Sequence, residues 1–266
     1  MVTITNNAEI TVFSTSSELF QFAAKDFADR ANAAVNDKEV FSVVLAGGNT
    51  PKLFFDTLTM SEYAKNIPWQ AIQFFFGDER YVPADDTKSN YHMAYEYLFS
   101  RVPVNRNNIY RILTGFTDPK EAAKNYEQTL RKIFRLTDNA VPQFDLVYLG
   151  LGSNAHTASL MPGSDLVKRY TENSTENNNQ LVAALFVPEL DMYRITLTTT
   201  AINNGLNIIF LVTGADKATA VCEVLEGQVD PLHYPAQLIH GRAKKTLWYL
   251  DKPAGKKLNN SEVTNS

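Results

Sequence analysis

The chain has 266 residues, 44% of them hydrophobic and 20% charged, with a net charge of -4 and a single cysteine. These proportions belong to a soluble globular protein with a full core, and the acidic balance argues against a nucleic-acid surface, the only basic clusters, 242–245 and 256–257, being short. Cys222 has no second cysteine to pair with, which excludes an intrachain disulfide and a cysteine zinc site.

Residues 1–7 carry neither the basic nor the apolar region of a secretory signal. No apolar run approaches the ~20 residues of a membrane span, so a cytoplasmic protein with no membrane partner is expected. Residues 10–13 read as a strand, and Thr15-Ser16-Ser17-Glu18 fits a capping box opening a helix. Leu19, Ala23, Phe27 and Ala31 give that helix an apolar stripe. A second strand, 41–45, ends in Ala46-Gly47-Gly48-Asn49-Thr50, and Pro51 suits the first turn of the next helix. The third strand, 72–76, runs into Gly77-Asp78-Glu79-Arg80 and a polar loop as far as Asn90. Helical patterns follow over 91–99 and 119–136, the second with Tyr126, Leu130 and Phe134 on its inner side.

Residues 144–149 read as a buried strand. It breaks into Gly150-Leu151-Gly152-Ser153-Asn154-Ala155 and delivers His156 directly afterwards; Pro162 and Gly163 stop the short helix predicted from Thr157. Residues 171–180 form a polar loop without periodicity. Strands are predicted over 181–187, 193–197, 207–212 and 246–251, with helices over 201–205 and from 214 to 225. Residues 255–266 read as a disordered polar tail. Alternating strands and helices imply an α/β fold, a mainly parallel sheet with helices on both faces. Without repeats or a linker, a single elaborated domain over 1–254 is expected.

Parallel connectivity would bring three loops to one sheet edge. Gly47, Gly48, Asn49 and Thr50 either cradle an anion at a helix start or form a plain turn with Thr50 as N-cap. The P-loop spacing and its lysine are missing. In the second loop, Arg80 either grips a carboxylate or phosphate or merely pairs with Asp78. The third, Gly150 to Ala155, satisfies the dinucleotide spacing G-x-G-x-x-G/A. However, Pro162 cuts its helix short, and the acidic residues about 20 positions on, Glu172 and Glu176, lie in the asparagine-rich loop. His156, at the exit of a glycine turn, is either a general base or a satisfied structural histidine. No GxSxG elbow and no HExxH cluster is present.

The segments LAGGNTPKLFFDTL (45–58), FFGDERYVPADDTKSNYHMA (75–94), FDLVYLGLGSNAHTASLMPG (144–163) and RITLTTTAINNGLNIIFLVTGADKA (194–218), with YPAQLI near Pro235, resemble the 6-phosphogluconolactonase family. That family is related in fold to glucosamine-6-phosphate deaminases. The resemblance implies a Rossmann-like fold, no metal and no cofactor. It implies hydrolysis of 6-phospho-D-glucono-1,5-lactone to 6-phosphogluconate in the pentose phosphate pathway, with a small sugar phosphate lactone as ligand and a monomer or homodimer as assembly. Deaminase-like segments read D-G-H-I-A-F-N-E-P and D-E-Y; this chain has His156-Thr157-Ala158-Ser159-Leu160-Met161-Pro162 and Asp78-Glu79-Arg80, the lactonase-like forms.

Carried over by resemblance, His156 takes a proton from water, and Arg80 stabilises the oxyanion or grips substrate, with Asp78 beside it. Gly47, Gly48, Asn49, Thr50, Arg194 and Lys217 hold the phosphate, while Gly150, Gly152 and Asn154 shape the cleft. The family reads D-G-H where this chain reads Asn154-Ala155-His156. That loss of a carboxylate removes an anion that could raise the imidazole's basicity, and Ala155 must avoid a positive φ or tolerate strain. Two alternatives stand beside lactone hydrolysis: a deaminase-like enzyme, and a non-catalytic sugar-phosphate-binding relative.

Overall fold

The computed structural model describes residues 8–171, 179–242, 245–259 and 263–265. The signal reading of residues 1–7 and most of the polar loop, 172–178, lie outside them. The strands are β1 (Ala8–Phe13), β2 (Phe41–Leu45), β3 (Ile72–Phe76), β4 (Asp78–Arg80), β5 (Leu146–Leu149), β6 (Val182–Val187), β7 (Met192–Leu197), β8 (Ile208–Val212), β9 (Thr246–Asp251) and β10 (Val263–Asn265). The helices are α1 (Ser16–Lys38), α2 (Asn49–Leu58), α3 (Ser61–Ala64), α4 (Asn90–Ala94), α5 (Pro119–Ile133), α6 (Asp165–Thr171), α7 (Thr199–Asn203), α8 (Ala218–Leu225) and α9 (Lys252–Gly255).

Seven strands in the order β10-β1-β9-β8-β5-β2-β3 form one sheet, all parallel. Every residue of β2, β5 and β8 is buried. A parallel sheet covered on both faces leaves no polar side, which is why these segments read as unbroken apolar runs. α1 buries Leu19, Phe20, Ala23, Ala24, Phe27, Ala28 and Ala31 against it. Its capping box is half formed: Thr15 Oγ1 accepts from the Glu18 N–H, but the Glu18 carboxylate reaches the Ser14 N–H instead of that of Thr15.

Gly77-Asp78-Glu79-Arg80 is not the loop expected from sequence. After Gly77 the chain leaves the main sheet, and β4 joins an antiparallel sheet of order β4-β7-β6. Tyr126 of α5 holds this corner, its hydroxyl accepting from the Phe76 N–H at 2.8 Å. The polar tail also differs from expectation. Gly255 closes α9, Leu258 packs on the core, and 263–265 pair with β1; residues 260–262 and 266 lie outside the described residues.

Candidate active site

β5 lies between β2 and β8, and all three point the same way. The chain builds outward from β2 to β3, then returns and builds the other way through β5, β8 and β9. The crevice between β2 and β5 is therefore a topological switch point, where open α/β sheets bind ligands beyond the carboxyl ends of their strands. The loops carrying Gly47 to Thr50, Gly150 to His156, and Lys217 leave this one edge. Thr50 and Thr213 hydroxyls meet at 2.8 Å, tying the β2 exit to the β8 exit.

His156 sits half-buried on the β5 exit. Asn154 Oδ1 receives both its backbone N–H, at 3.3 Å, and its Nδ1, at 2.6 Å. The Gly152 N–H donates to the His156 carbonyl at 2.8 Å, and a Cβ on Gly152 would overlap the imidazole. Ala155 and Ala158 have φ of 62° and 47°, so the helix expected from Thr157 does not form; right-handed helix requires negative φ. Instead, Thr157 and Leu160 bridge a tight turn. The strain option for Ala155 is the one realised, and the Ala236 N–H braces its carbonyl at 3.1 Å. That bond seats the turn Pro235–Leu238 against the histidine loop.

Register places Arg80 of β4 directly opposite Arg194 of β7. Directly opposed residues of an antiparallel pair share a face, and like charges there repel. One carboxylate offsets this arrangement. Asp78 Oδ2 accepts from Arg194 Nη1 at 3.2 Å and from the Ser159 hydroxyl at 2.6 Å, while Oδ1 accepts from Asn90 Nδ2 at 3.0 Å. Asp78 thus ties β4, the histidine loop, α4 and β7 together, and both of its oxygens are engaged. Arg194 is only 8% exposed, and burial holds its guanidinium below the ordinary value, against the pull of Asp78. Arg80 Nη1 donates to the Lys88 carbonyl at 2.6 Å. The Nε atoms of both arginines are buried with no hydrogen-bond partner among the described residues.

Burial holds the His156 imidazole below the ordinary histidine value; Asp78 opposes this, while Arg194, Lys217 and Arg80 reinforce it. Asp78, Arg80, Arg194 and Lys217 all act electrostatically on His156, and Asp78 links Arg194 to the histidine loop through Ser159. Lys217 also pairs with Asp216 at 3.1 Å. Gly48, not Thr50, occupies the N-cap position of α2, with φ of 103°; Asn49 and Thr50 are already in its first turn. Gly47 has a packing reason for being glycine, since a Cβ there would overlap the Asn90 side chain. Asn90 and Ser159, the partners of Asp78, were missed in sequence because neither residue type signals a role without its neighbour. Among the described residues, no group of three or more His, Cys, Asp and Glu could hold a metal ion.

The family model described as "Glucosamine-6-phosphate isomerases/6-phosphogluconolactonase" matches residues 14–248. The chain belongs to this family. It is 37% identical over 212 residues to the 6-phosphogluconolactonase of Haemophilus influenzae, covering 80% of this chain and 85% of that one. To the 6-phosphogluconolactonase of Synechocystis sp. it is 34% identical over 229 residues, 86% of this chain and 89% of that one. The crystal structure of 6-phosphogluconolactonase from Thermotoga maritima superposes with a TM-score of 0.75 at 31% identity, over 92% of this chain and 100% of that one. The family's fold, an α/β parallel sheet with a small antiparallel sheet beside it, is the fold described above.

Proposed function

We propose that the protein hydrolyses 6-phospho-D-glucono-1,5-lactone to 6-phosphogluconate, with His156 as general base. The observation that carries this reading is the pair of opposed guanidiniums, Arg80 and Arg194, facing the same site as His156. Two like charges held side by side form a receptor for an anion. Burial lowers the imidazole's pKa and so favours the neutral form, the one able to accept a proton.

In the proposed reaction His156 Nε2 takes a proton from water as the water oxygen attacks the lactone carbonyl. The tetrahedral oxyanion is stabilised by the Arg80 N–H groups. The ring C–O bond then breaks, and the imidazolium returns its proton to the departing ring oxygen. Lys217, Arg194 and the first-turn amides of α2 hold the phosphate. Asp78, with both oxygens engaged, positions Arg194 and takes no part in proton transfer. A positioned base supplies ~10²–10⁴-fold and an oxyanion donor ~10²–10³-fold, enough together for an ester already activated by its ring.

The test is lactone hydrolysis above the spontaneous rate by the purified protein. His156→Ala should lower kcat by about 10²–10⁴-fold; full activity in that variant would remove His156 from the mechanism. Ammonia release from glucosamine 6-phosphate would instead place the protein with the deaminases.

A further inference from the structure

We propose that Asn154 is the positioning residue of His156, its carbonyl oxygen fixing the imidazole as the Nδ1–H tautomer and leaving Nε2 as the free basic nitrogen. The inference rests on the lactonase reading for its kinetic arm and stands on geometry for the rest. The Asn154 side-chain atom facing His156 receives two contacts, from the backbone N–H at 3.3 Å and from Nδ1 at 2.6 Å. A backbone N–H can only donate, so that atom is the carbonyl oxygen, not the amide nitrogen. A carbonyl oxygen can only accept. Nδ1 must therefore carry the proton, and in a neutral imidazole Nε2 is then the acceptor.

The rest of the turn packs around the ring in this orientation. Gly152 offers the imidazole the space a Cβ would fill. Its N–H holds the His156 carbonyl, and its own carbonyl accepts from the Ala155 N–H at 2.9 Å, closing the loop on itself. Asn154 itself is exposed, so its replacement leaves the core intact. An amide in place of the family's carboxylate keeps the acceptor and drops the charge. The charged groups facing the imidazole from the packed elements are then Asp78 and Arg80 of β4, Arg194 of β7 and Lys217 beyond β8. Three of these four are cations. This chain therefore runs its base as a neutral-partnered imidazole, in which orientation and charge stabilisation are separated.

Two variants separate these effects. Asn154→Asp keeps an acceptor and adds charge: the acid limb of kcat/KM should move upward by about 1 pH unit or more. Asn154→Leu removes the acceptor: plateau kcat should fall about 10–100-fold with KM little changed, as misplaced catalytic groups do. An unmoved acid limb in the first, or an undiminished plateau in the second, would overturn the proposal. A readout without substrate distinguishes its failure from that of the lactonase reading. In ¹⁵N-histidine-labelled protein, with His156 assigned by loss of its signal in His156→Ala, Nδ1 should be pyrrole-like and Nε2 pyridine-like at high pH. The reverse pattern would reject the tautomer assignment whether or not the protein turns over lactone.

Discussion

At the scale of single residues, Ala155 shows how a motif departure is tolerated. Its φ of 62° lies where L-residues are strained, by ~1–2 kcal/mol for a helix-like left-handed residue. Replacing it with glycine would relieve that strain. The same change would expose the chain to the glycine's larger unfolded-state entropy, ~0.4–1 kcal/mol, and would lose a buried methyl worth ~0.8 kcal/mol. These contributions nearly cancel, so Ala155→Gly should shift Tm by less than ~4 °C. Ala155→Val should behave differently, because the site is only 1% exposed and overpacking adds ~1–3 kcal/mol to the left-handed strain of a β-branched residue. Its Tm should fall by at least ~4 °C, measured by thermal unfolding monitored by circular dichroism. The near-cancellation explains how alanine can hold this left-handed position without loss of the fold.

Among elements, the decisive junction is β4 with β7, where Asp78 and Arg194 lie 116 positions apart in sequence. Both are buried, at 6% and 8% exposure, so removing one partner leaves a charge without compensation, a loss of ~3–5 kcal/mol. Asp78→Ala should lower the urea midpoint accordingly. The double variant Asp78→Ala, Arg194→Met should recover part of the loss, since it also removes the stranded guanidinium; equal destabilisation of the two would mean that Asp78 acts through Ser159 and Asn90 alone. The same junction marks what sequence could reveal. β2, β3, β5, β8 and β9 were legible because strands buried on both faces are continuous apolar runs. β4 was not. Asp78-Glu79-Arg80 has no apolar alternation, and only its distant partner makes it a strand. Glu79 is held the same way, accepting from Arg80, Asn90 and Tyr91 N–H groups and the Ser89 hydroxyl, with burial pushing its carboxyl up. The sequence named Arg80, Arg194 and His156 one by one; the register that sets two guanidiniums opposite each other is a tertiary fact.

At the scale of the whole molecule, charge is distributed against the net balance of -4. His156, Asn154 and Arg194 line the wall of a cleft of about 1380 Å³, larger than the ~300–1,000 Å³ of usual ligand pockets and far larger than one sugar phosphate requires. The space beyond a single sugar phosphate is available as an approach path. Lys120 and Lys124 of α5 and Arg169 of α6 stand there, exposed; acidic lining is partly engaged, Glu127 by Arg131 and Asp165 by Lys168. Cations around a cleft raise the local concentration of an anionic substrate and its rate of capture, by ~10–10³-fold at low salt. Reversing all three, Lys120→Glu, Lys124→Glu and Arg169→Glu, should lower kcat/KM for the phosphorylated lactone by about 10-fold at low ionic strength, with kcat unchanged because none touches the reacting atoms. The gap should close as salt is added, since the screening length falls from ~10 Å at 0.1 M to ~3 Å at 1 M. A gap that persists undiminished in high salt would mean these side chains bind substrate at contact distance instead of guiding it, and a lactone lacking the phosphate should show no gap at any salt concentration.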